Sequence, residues 1–208
     1  MTLKLVLPVS SGFLRRRGVA GALLALLLFG AWPACAEDAK PPTSVLIVAR
    51  AELPDPNFAD SVVLVMNNLG PGPVGIIVNR PTKVAVAELF PDLKRLAQLP
   101  DKVYFGGPVE FDSVWFLFRA AKPPKHAIQA FDGACVSADR ELLLQLLGRD
   151  KPMEGLKIFV GHAGWGPGQL EAEIGRGDWT LERADADAVF KGKSEHPWPA
   201  SKGPALST

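Results

Sequence analysis

The amino-acid sequence predicts a single α+β domain. The chain has 208 residues, 48% of them hydrophobic and 22% charged, which is typical of one globular domain with its own core. Short apolar runs rich in β-branched residues recur along it and indicate buried strands. Several such runs precede each helical segment, a pattern that favours α+β over repeating βαβ units.

Short apolar runs bounded by turn residues predict strands over 45–49, 61–66, 74–78, 103–105, 114–118, 156–160 and 179–183. The Gly/Pro/Asn-rich segment 67–73 joins the second run to the third and indicates an antiparallel hairpin. Short helices are predicted over 83–90, 138–147 and 169–174. Ser137 is expected to cap the second helix, and Gly148 follows its end.

The first 36 residues are typical of a secretory signal peptide. Three consecutive arginines, Arg15 to Arg17, precede a short apolar run, and Ala34-Cys35-Ala36 supplies the small residues that a signal peptidase reads. The apolar run is shorter than the ~20 residues of a membrane-spanning helix. We therefore expect export to the periplasm with cleavage after Ala36. The membrane is then contacted only through the signal peptide before cleavage. An uncleaved anchor and a lipoprotein acylated on Cys35 are the alternatives.

The remainder of the chain divides into three parts. Residues 37–43 are polar and Pro-rich and are predicted to form a mobile leader. Residues 44–190 form the domain. Residues 191–208 contain three prolines and scattered glycines, which predicts a flexible tail.

The charge distribution disfavours nucleic acid as a partner. The chain has 23 basic and 22 acidic residues, but every charged residue among the first 36 is basic: Lys4, Arg15, Arg16 and Arg17. Their removal leaves 19 basic against 22 acidic residues, a net charge of −3. Proteins that bind phosphate backbones carry a basic surface instead.

The densest unusual segment is Gly161-His-Ala-Gly-Trp-Gly-Pro-Gly168, which follows a predicted strand and opens a helix. Such a loop turns sharply and exposes backbone N–H groups at a helix N-terminus, where anions bind. Its glycine spacing is neither that of a dinucleotide fingerprint nor that of a P-loop. The alternative is that the glycines serve only the turn while Trp165 fills the core.

The segment from Gly161 to Trp179 closely resembles the signature of the YqgE/AlgH family. Three further stretches match in the same order: 53–58, then 75–82 with Glu88-Leu89, then 105–109. The resemblance covers about residues 45 to 190. It implies a single domain with a partly closed, largely antiparallel sheet and flanking short helices, and it implies no reaction.

The chain departs from the family pattern at several positions. Family members are mostly cytosolic, whereas this chain carries an export signal. His162 stands where an aromatic such as Tyr is usual, Phe118 where His is usual, and Ala85 where Thr caps a helix. The family also bears a transcriptional-regulator label, which export and the acidic mature charge disfavour.

These observations predict a binding domain for a small anion, a peptide or a protein. Arg50 and Arg80 are candidates for a two-arginine anion clamp, although ion pairs with Asp55, Asp60 or Glu88 are the alternative. The full set of candidate ligand-binding residues is Arg50, Asn79, Arg80, Gly106, Gly107, Gly161, Gly164, Trp165, Gly166 and Gly168.

An enzyme is the alternative from a different class: a hydrolase that uses His162 or Cys135 beside the glycine loop. Cys135 lies outside the thiol-nucleophile signatures and is more typical of a buried small hydrophobe. His126, His162 and His196 are too widely spaced to indicate a zinc site. The sequence therefore assigns no catalytic residue, and it predicts neither a metal nor a cofactor.

Overall fold

The computed structural model describes residues 44–67, 69, 71–191 and 198. These residues confirm the α+β class. The predicted signal peptide, the predicted leader and positions 192–197 and 199–208 of the predicted tail lie outside the described residues. Among those that are described, no helix is both long enough and apolar enough to cross a bilayer.

The described residues contain ten strands. They are β1 (Ser44–Ala49), β2 (Val62–Met66), β3 (Val74–Ile77), β4 (Pro81–Ala85), β5 (Lys102–Phe105), β6 (Val109–Arg119), β7 (Ile128–Phe131), β8 (Ala134–Ser137), β9 (Leu156–Gly164) and β10 (Trp179–Glu182). Their order is β10-β1-β2-β3-β9-β6-β8-β7, and the β4–β5 pair joins β9 through β5. Only the pairing of β5 with β9 is parallel, so the sheet is largely antiparallel, as expected.

The sheet curls until its two ends approach each other. The Ser44 hydroxyl of β1 donates a hydrogen bond to the backbone carbonyl of Ala130 in β7. The long strand β9 makes the curl possible, because its first half pairs with β6 and its last residues pair with β3. This is the partly closed sheet that the family resemblance implies.

Three apolar clusters stabilise the curled sheet. The concave side, called the inner face below, holds residues from both halves of the sheet, among them Leu64, Leu117 and Phe159. A second cluster lies on the outer side and includes Phe116 and Cys135. A third covers the outer side of β1, β2 and β3 and is built around tryptophans. At ~25 cal/mol per Å² of buried apolar area, such clusters are the main stabilising contribution.

Four short α-helices flank the sheet: α1 (Val86–Leu89), α2 (Arg140–Leu147), α3 (Gln169–Arg176) and α4 (Ala186–Lys191). Helix α2 buries Leu142, Leu143 and Leu147 against the second cluster. Asp139, not Ser137, caps α2, since its carboxylate accepts from Leu142 N at 2.8 Å. The predicted Ser137 cap is therefore wrong. The Ser137 hydroxyl instead donates to the His126 carbonyl.

Other predicted elements need correction. The predicted helix 83–90 forms only over its second half, as α1, because Pro81–Ala85 forms β4 and the Thr82 hydroxyl donates to Val103 O in β5. Strands β7 and β8 were not predicted, since Gln129 and Asp132 interrupt the apolar residues of this segment. Helix α4 extends to Lys191, where the flexible tail was expected to begin. The Asp185 carboxylate accepts from Ala188 N in its first turn.

Candidate functional site

The two candidate arginines lie in different environments. Arg50 is exposed just after β1, whereas Arg80 is only 2% exposed. Both terminal nitrogens of Arg80 donate to backbone carbonyls, to Asn57 O at 2.6 Å and to Ala59 O at 2.7 Å. Burial lowers the pKa of Arg80, and nearby Asp60 partly opposes that shift. These contacts hold the turn before β2, which accounts for Arg80 without a ligand.

Asn79 fixes the same turn from the neighbouring residue. Its side-chain amide donates to Asp60 O at 2.9 Å and its side-chain oxygen accepts from Val62 N at 2.9 Å. Two reciprocal bonds of this kind replace backbone pairing at the point where the turn enters β2. Ligand binding by Arg50, Asn79 and Arg80 stays a prediction.

Gly106, Gly107 and Gly161, called the glycine crossing below, bring two chain segments into backbone contact. A Cβ on Gly106 would lie 2.2 Å from Gly161 O, and one on Gly107 would lie 2.3 Å from His162 O. Gly161 adopts a φ of +70°, and a Cβ there would lie 2.4 Å from Gly107 O. No other residue type fits such distances. The Gly106-Gly107 motif and the start of the glycine loop at Gly161 therefore pack against each other, backbone to backbone.

The rest of the glycine loop is open. A Cβ on Gly164 or Gly168 would have no heavy atom within 4 Å. Gly168 has a φ of +73° and is the N-cap residue of α3. The backbone N–H of Gly166 donates to Gln169 Oε1 at 3.1 Å, so one loop donor is already used within the turn.

Trp165, Trp179 and Glu173 form what is called the tryptophan hub. Both indole nitrogens donate to Glu173 Oε2, from Trp165 at 3.0 Å and from Trp179 at 2.9 Å. Gln169 Nε2 donates to the other carboxylate oxygen at 2.9 Å. The Phe58 ring lies 6.0 Å from the Trp165 ring and 5.8 Å from the Trp179 ring. The family signature is thus a structural unit that binds α3 to the sheet.

The hub also sets the ionisation of its carboxylate. Burial alone would raise the pKa of Glu173, but the hydrogen bonds from Trp179, Gln169 and Trp165 outweigh it, and the pKa lies below its usual value. Donors aimed at a carboxylate favour its charged form. The hub therefore has a fully satisfied anion at its centre and needs no ligand.

The hydrolase alternative gains no support from the position of its thiol. Cys135 is fully buried in the second cluster beside the leucines of α2. Burial raises the pKa of its thiol, which suppresses the reactive thiolate. His162 packs elsewhere, against Trp115 at 5.7 Å between ring centroids.

The inner face holds a different set of polar groups, which the sequence analysis did not select. Lys157 lies on β9, and its Nζ is 4.4 Å from the centre of the Tyr104 ring and 3.3 Å from Val78 O, to which it donates. Among the described residues no carboxylate forms an ion pair with it. Burial lowers the pKa of Lys157 to about 8. A lone lysine inside the apolar run 156–160 was the available sequence signal.

Two ring nitrogens on the same stretch of β6 and β9 lack partners. Trp115 Nε1 and His162 Nδ1 are buried and have no hydrogen-bond partner in the part of the chain that the structure describes. The Glu110 carboxylate is 4.0 Å from His162 Nδ1, beyond hydrogen-bond distance. Buried polar groups without partners are rare in folded proteins, and each one calls for an explanation.

Register places these groups in a row. Trp115 of β6 and Tyr104 of β5 both lie opposite Phe159 of β9. Lys157 is two residues from Phe159 and therefore projects from the same side of the strand, about 7 Å away. His162 joins them through its ring contact with Trp115, and the row, called the inner-face row below, consists of Lys157, Tyr104, Phe159, Trp115 and His162.

A cavity of about 830 Å³ beside α4 is a weaker candidate. It is lined by Arg119, Arg149, Lys151 and Lys191 together with acidic residues. Most of these cations already have partners: Asp187 lies 2.5 Å from Arg119 and 3.1 Å from Lys191, and Glu154 lies 3.4 Å from Lys151. Surface pairs of this kind leave little net charge for a ligand.

Comparison with known proteins gives a consistent result. The chain matches the AlgH-like family model, DUF179, over residues 46–202. A UPF0301 protein from Anaeromyxobacter sp. (strain Fw109-5) is 37% identical over 164 residues, which covers 73% of this chain and 82% of the relative. A UPF0301 protein from Streptomyces avermitilis is 36% identical over 163 residues, with 75% and 82% covered.

Two solved structures share the fold. The solution structure of the AlgH protein from Pseudomonas aeruginosa is similar with a TM-score of 0.59 at 25% identity, and the match covers 78% of this chain and 86% of that one. The X-ray structure of protein DIP2367 from Corynebacterium diphtheriae gives a TM-score of 0.57 at 27% identity, with 74% and 82% covered.

Proposed function

This chain belongs to the AlgH-like family, and we propose that it is an exported binding domain that takes a small anionic ligand on its inner face. The observation that carries the proposal is the inner-face row. In the part of the chain that the structure describes, it combines one cation that has no ion-pair partner with two buried ring nitrogens that lack hydrogen bonds. An anion bound at Lys157 would supply the charge partner that this cation lacks.

The chemistry of the row favours an anion with an apolar part. Lys157 supplies a positive charge, and the Trp115 N–H is a donor only. The rings of Tyr104 and Trp115 are partly exposed and offer apolar surface between the amine and His162, whereas the Phe159 ring is fully buried. Ligand sites commonly combine a mostly aromatic lining with a few placed polar groups. An aromatic carboxylate matches this pattern, with its carboxylate at Lys157 and its ring along the row.

The anion proposal is tested by titration of the purified chain. Benzoate, phenyl phosphate and inorganic phosphate are added at pH 6.5, where Lys157 is protonated, and tryptophan fluorescence is followed. We expect saturable quenching that is strongest for the aromatic anions. Lys157→Met is expected to weaken binding at least tenfold, because it removes the cation.

The matched control is Lys125→Met, which removes an exposed lysine from a loop and is expected to bind as the natural chain does. Equal affinity in Lys157→Met and Lys125→Met would contradict the site. Quenching by a peptide or a protein but by none of these anions would favour the other ligand classes.

Export is the second part of the proposal. It is supported by Arg15–Arg17, the short apolar run and Ala34-Cys35-Ala36. The full chain is produced in a bacterial host and the envelope fraction is analysed by intact mass. We expect a mature chain that begins at Glu37. A chain that retains Met1 and stays in the cytosolic fraction would overturn this part without affecting the ligand site.

A further inference from the structure

We propose that a groove on the outer side of the sheet binds a free amino acid with an apolar side chain. The groove, called the outer groove below, is a cavity of about 300 Å³ bordered by α1, α2 and β6. Val114 lines it, whereas the next residue, Trp115, projects from the opposite side of β6 into the inner-face row. The inference therefore concerns a second site and does not depend on the proposed function.

The outer groove exists because β6 is longer than the strand beside it. Strand β8 ends at Ser137, whose partner on β6 is Phe116, and the chain then turns away into α2. The part of β6 that precedes Phe116 has no neighbour from β8 on this edge. Asp112 and Val114 of β6 therefore line a gap, which α2 borders on one side and the end of α1 on the other.

The walls of the outer groove are apolar and held in place. Leu143 of α2 is only 3% exposed and gives the groove a packed floor. Leu89, Phe90 and Val114 also line it and are partly exposed. All four belong to the second apolar cluster or pack against it. At ~30 Å³ per water molecule the cavity holds about ten waters, which corresponds to a ligand of the size of leucine.

Two opposite charges border the same groove. Arg140 at the start of α2 and Asp112 on β6 are both exposed. Within the described ranges of the chain neither side chain forms a hydrogen bond or an ion pair, so they do not neutralise each other. The carboxylates of Glu88 and Asp139, by contrast, each accept a backbone N–H at the start of their own helix. Arg140 and Asp112 are therefore available to a ligand that carries both charges.

A free amino acid supplies the complement of all three features. A guanidinium binds a carboxylate through two parallel N–H···O bonds, so the ligand carboxylate is assigned to Arg140. The ligand ammonium group donates to the Asp112 carboxylate, and the apolar side chain lies on the leucines and Phe90. Exposed ion pairs are individually weak, so affinity requires both charges and the apolar contact together.

The test is a titration of the isotope-labelled chain at pH 6.5, followed by NMR. The probes are L-leucine, leucinamide without the carboxylate, 4-methylpentanoate without the ammonium group, and N-acetyl-leucinamide with neither charge. We expect saturable shifts of the backbone amides of 112–114 and 138–143 with L-leucine. Each of the other probes should bind at least about fivefold more weakly, which is the contribution of about one exposed ion pair.

Two variants separate the two charges. Arg140→Gln should weaken binding of L-leucine at least about fivefold and leave leucinamide unchanged, because leucinamide lacks the group that Arg140 binds. Asp112→Asn should weaken L-leucine and leave 4-methylpentanoate unchanged for the corresponding reason. Both side chains are exposed, so both variants should melt as the natural chain does. The controls are Arg183→Gln and Asp132→Asn, which remove exposed charges away from the outer groove and should bind L-leucine normally.

Several results would overturn the outer groove as an amino-acid site. Binding of N-acetyl-leucinamide as tight as that of L-leucine would favour a peptide segment instead. Unchanged binding of L-leucine in both Arg140→Gln and Asp112→Asn, or shifts confined to the inner-face row, would also reject it. Neither variant alters Lys157, so failure of the benzoate titration leaves this inference standing. A chain that binds benzoate but shows no shift with L-leucine would overturn the outer groove alone.

Discussion

The tryptophan hub and the inner-face row place similar groups on opposite sides of one sheet, and they satisfy those groups differently. In the hub, the Glu173 carboxylate accepts from two indole nitrogens and from Gln169. Among the described residues, the Lys157 amine of the row donates only to a carbonyl, and Trp115 Nε1 has no partner. Both regions combine a charged group with tryptophan, but only in the hub do the charged group and the indole nitrogens all have hydrogen-bond partners.

The difference shows how to separate a structural motif from a binding site. A satisfied polar network rigidifies the fold and specifies its geometry. An unsatisfied buried group costs free energy, of order 1–3 kcal/mol, which a ligand with the complementary group can recover. The hub therefore explains why α3 stays on the sheet, whereas the row is where we propose that a ligand binds.

The largest loss of stability is expected at the glycine crossing, through which β9 passes. Gly161→Ala places a Cβ 2.4 Å from Gly107 O at a positive φ. We expect a loss of about 4 kcal/mol in the free energy of unfolding, or no soluble protein, since both overpacking and backbone strain act there. Urea denaturation monitored by circular dichroism measures it.

Gly164→Ala is the control for this prediction. It lies three residues further along β9, and a Cβ there has no heavy atom within 4 Å, so we expect a change of less than about 0.5 kcal/mol. Equal losses in the two variants would show that the loop as a whole, and not the crossing, requires glycine.

The second prediction concerns the free energy that it costs to bury the charged amine of Lys157. Lys157 has a pKa of about 8 when folded and 10.5 as its reference value, so between these values the unfolded chain binds one proton more than the folded chain. Stability conferred through this residue therefore rises with pH across that window, by up to about 3 kcal/mol. Below pH 8, Lys157→Met should be at least as stable as the natural chain.

The measurement is the free energy of unfolding at pH 7 to 10.5 for the natural chain, Lys157→Met and Lys125→Met. The rise in stability with pH should be present in the natural chain and in Lys125→Met and absent from Lys157→Met. A constant difference between the natural chain and Lys157→Met over the whole range would mean that the amine is solvated and that the row carries no desolvation penalty.

The fold was largely predictable because its main signals are local. Apolar runs such as 62–66 and 156–160 form strands wherever a sheet can cover them, and the Gly/Pro loop at 67–73 indicated the hairpin. The first half of the predicted helix 83–90 was wrong because Pro81 and Ala85 pair with β5, which is a non-local contact that a short window does not reveal.

The site was less predictable, since its defining property is the absence of partners. The sequence indicated the glycines and Trp165 as candidate site residues. In the structure, Gly106, Gly107 and Gly161 pack against each other's backbone, and the Trp165 indole donates to Glu173. Lys157 lies inside a predicted strand, and nothing in its sequence neighbourhood predicted a binding role for it. That it reaches over Tyr104 to Val78 depends on β5 lying beside β9, and pairing between segments about 50 residues apart is not readable from the chain.

The third prediction removes the centre of the hub. Glu173→Ala leaves two indole N–H groups without an acceptor, and we expect a loss of about 2 kcal/mol at pH 7. Because the folded pKa of Glu173 is depressed, its contribution is present above the unfolded pKa near 4.5 and is lost as the pH falls through the folded value. Denaturation curves at pH 7 and at acid pH measure both effects.

Glu171→Ala is the matched control, since Glu171 is exposed on the same helix and its removal should change the free energy of unfolding by less than about 0.5 kcal/mol. If Glu173→Ala cost no more than Glu171→Ala, the hub would be as dispensable as the exposed surface of α3.

The smallest expected effect compares the two regions through one chemical change. Trp165→Phe and Trp115→Phe each remove an indole nitrogen and part of a ring, so both lose similar apolar area. In the hub the change also deletes a hydrogen bond to a carboxylate, whereas in the row it deletes a buried N–H without a partner. Trp165→Phe should therefore cost about 1 kcal/mol more than Trp115→Phe. Ligand affinity should change in the opposite order, because only Trp115 lies in the row. Thermal melts and benzoate titrations of both variants decide the matter: equal stabilities with equal affinities would mean that the two tryptophans are equivalent and that partner satisfaction does not distinguish fold from site in this protein.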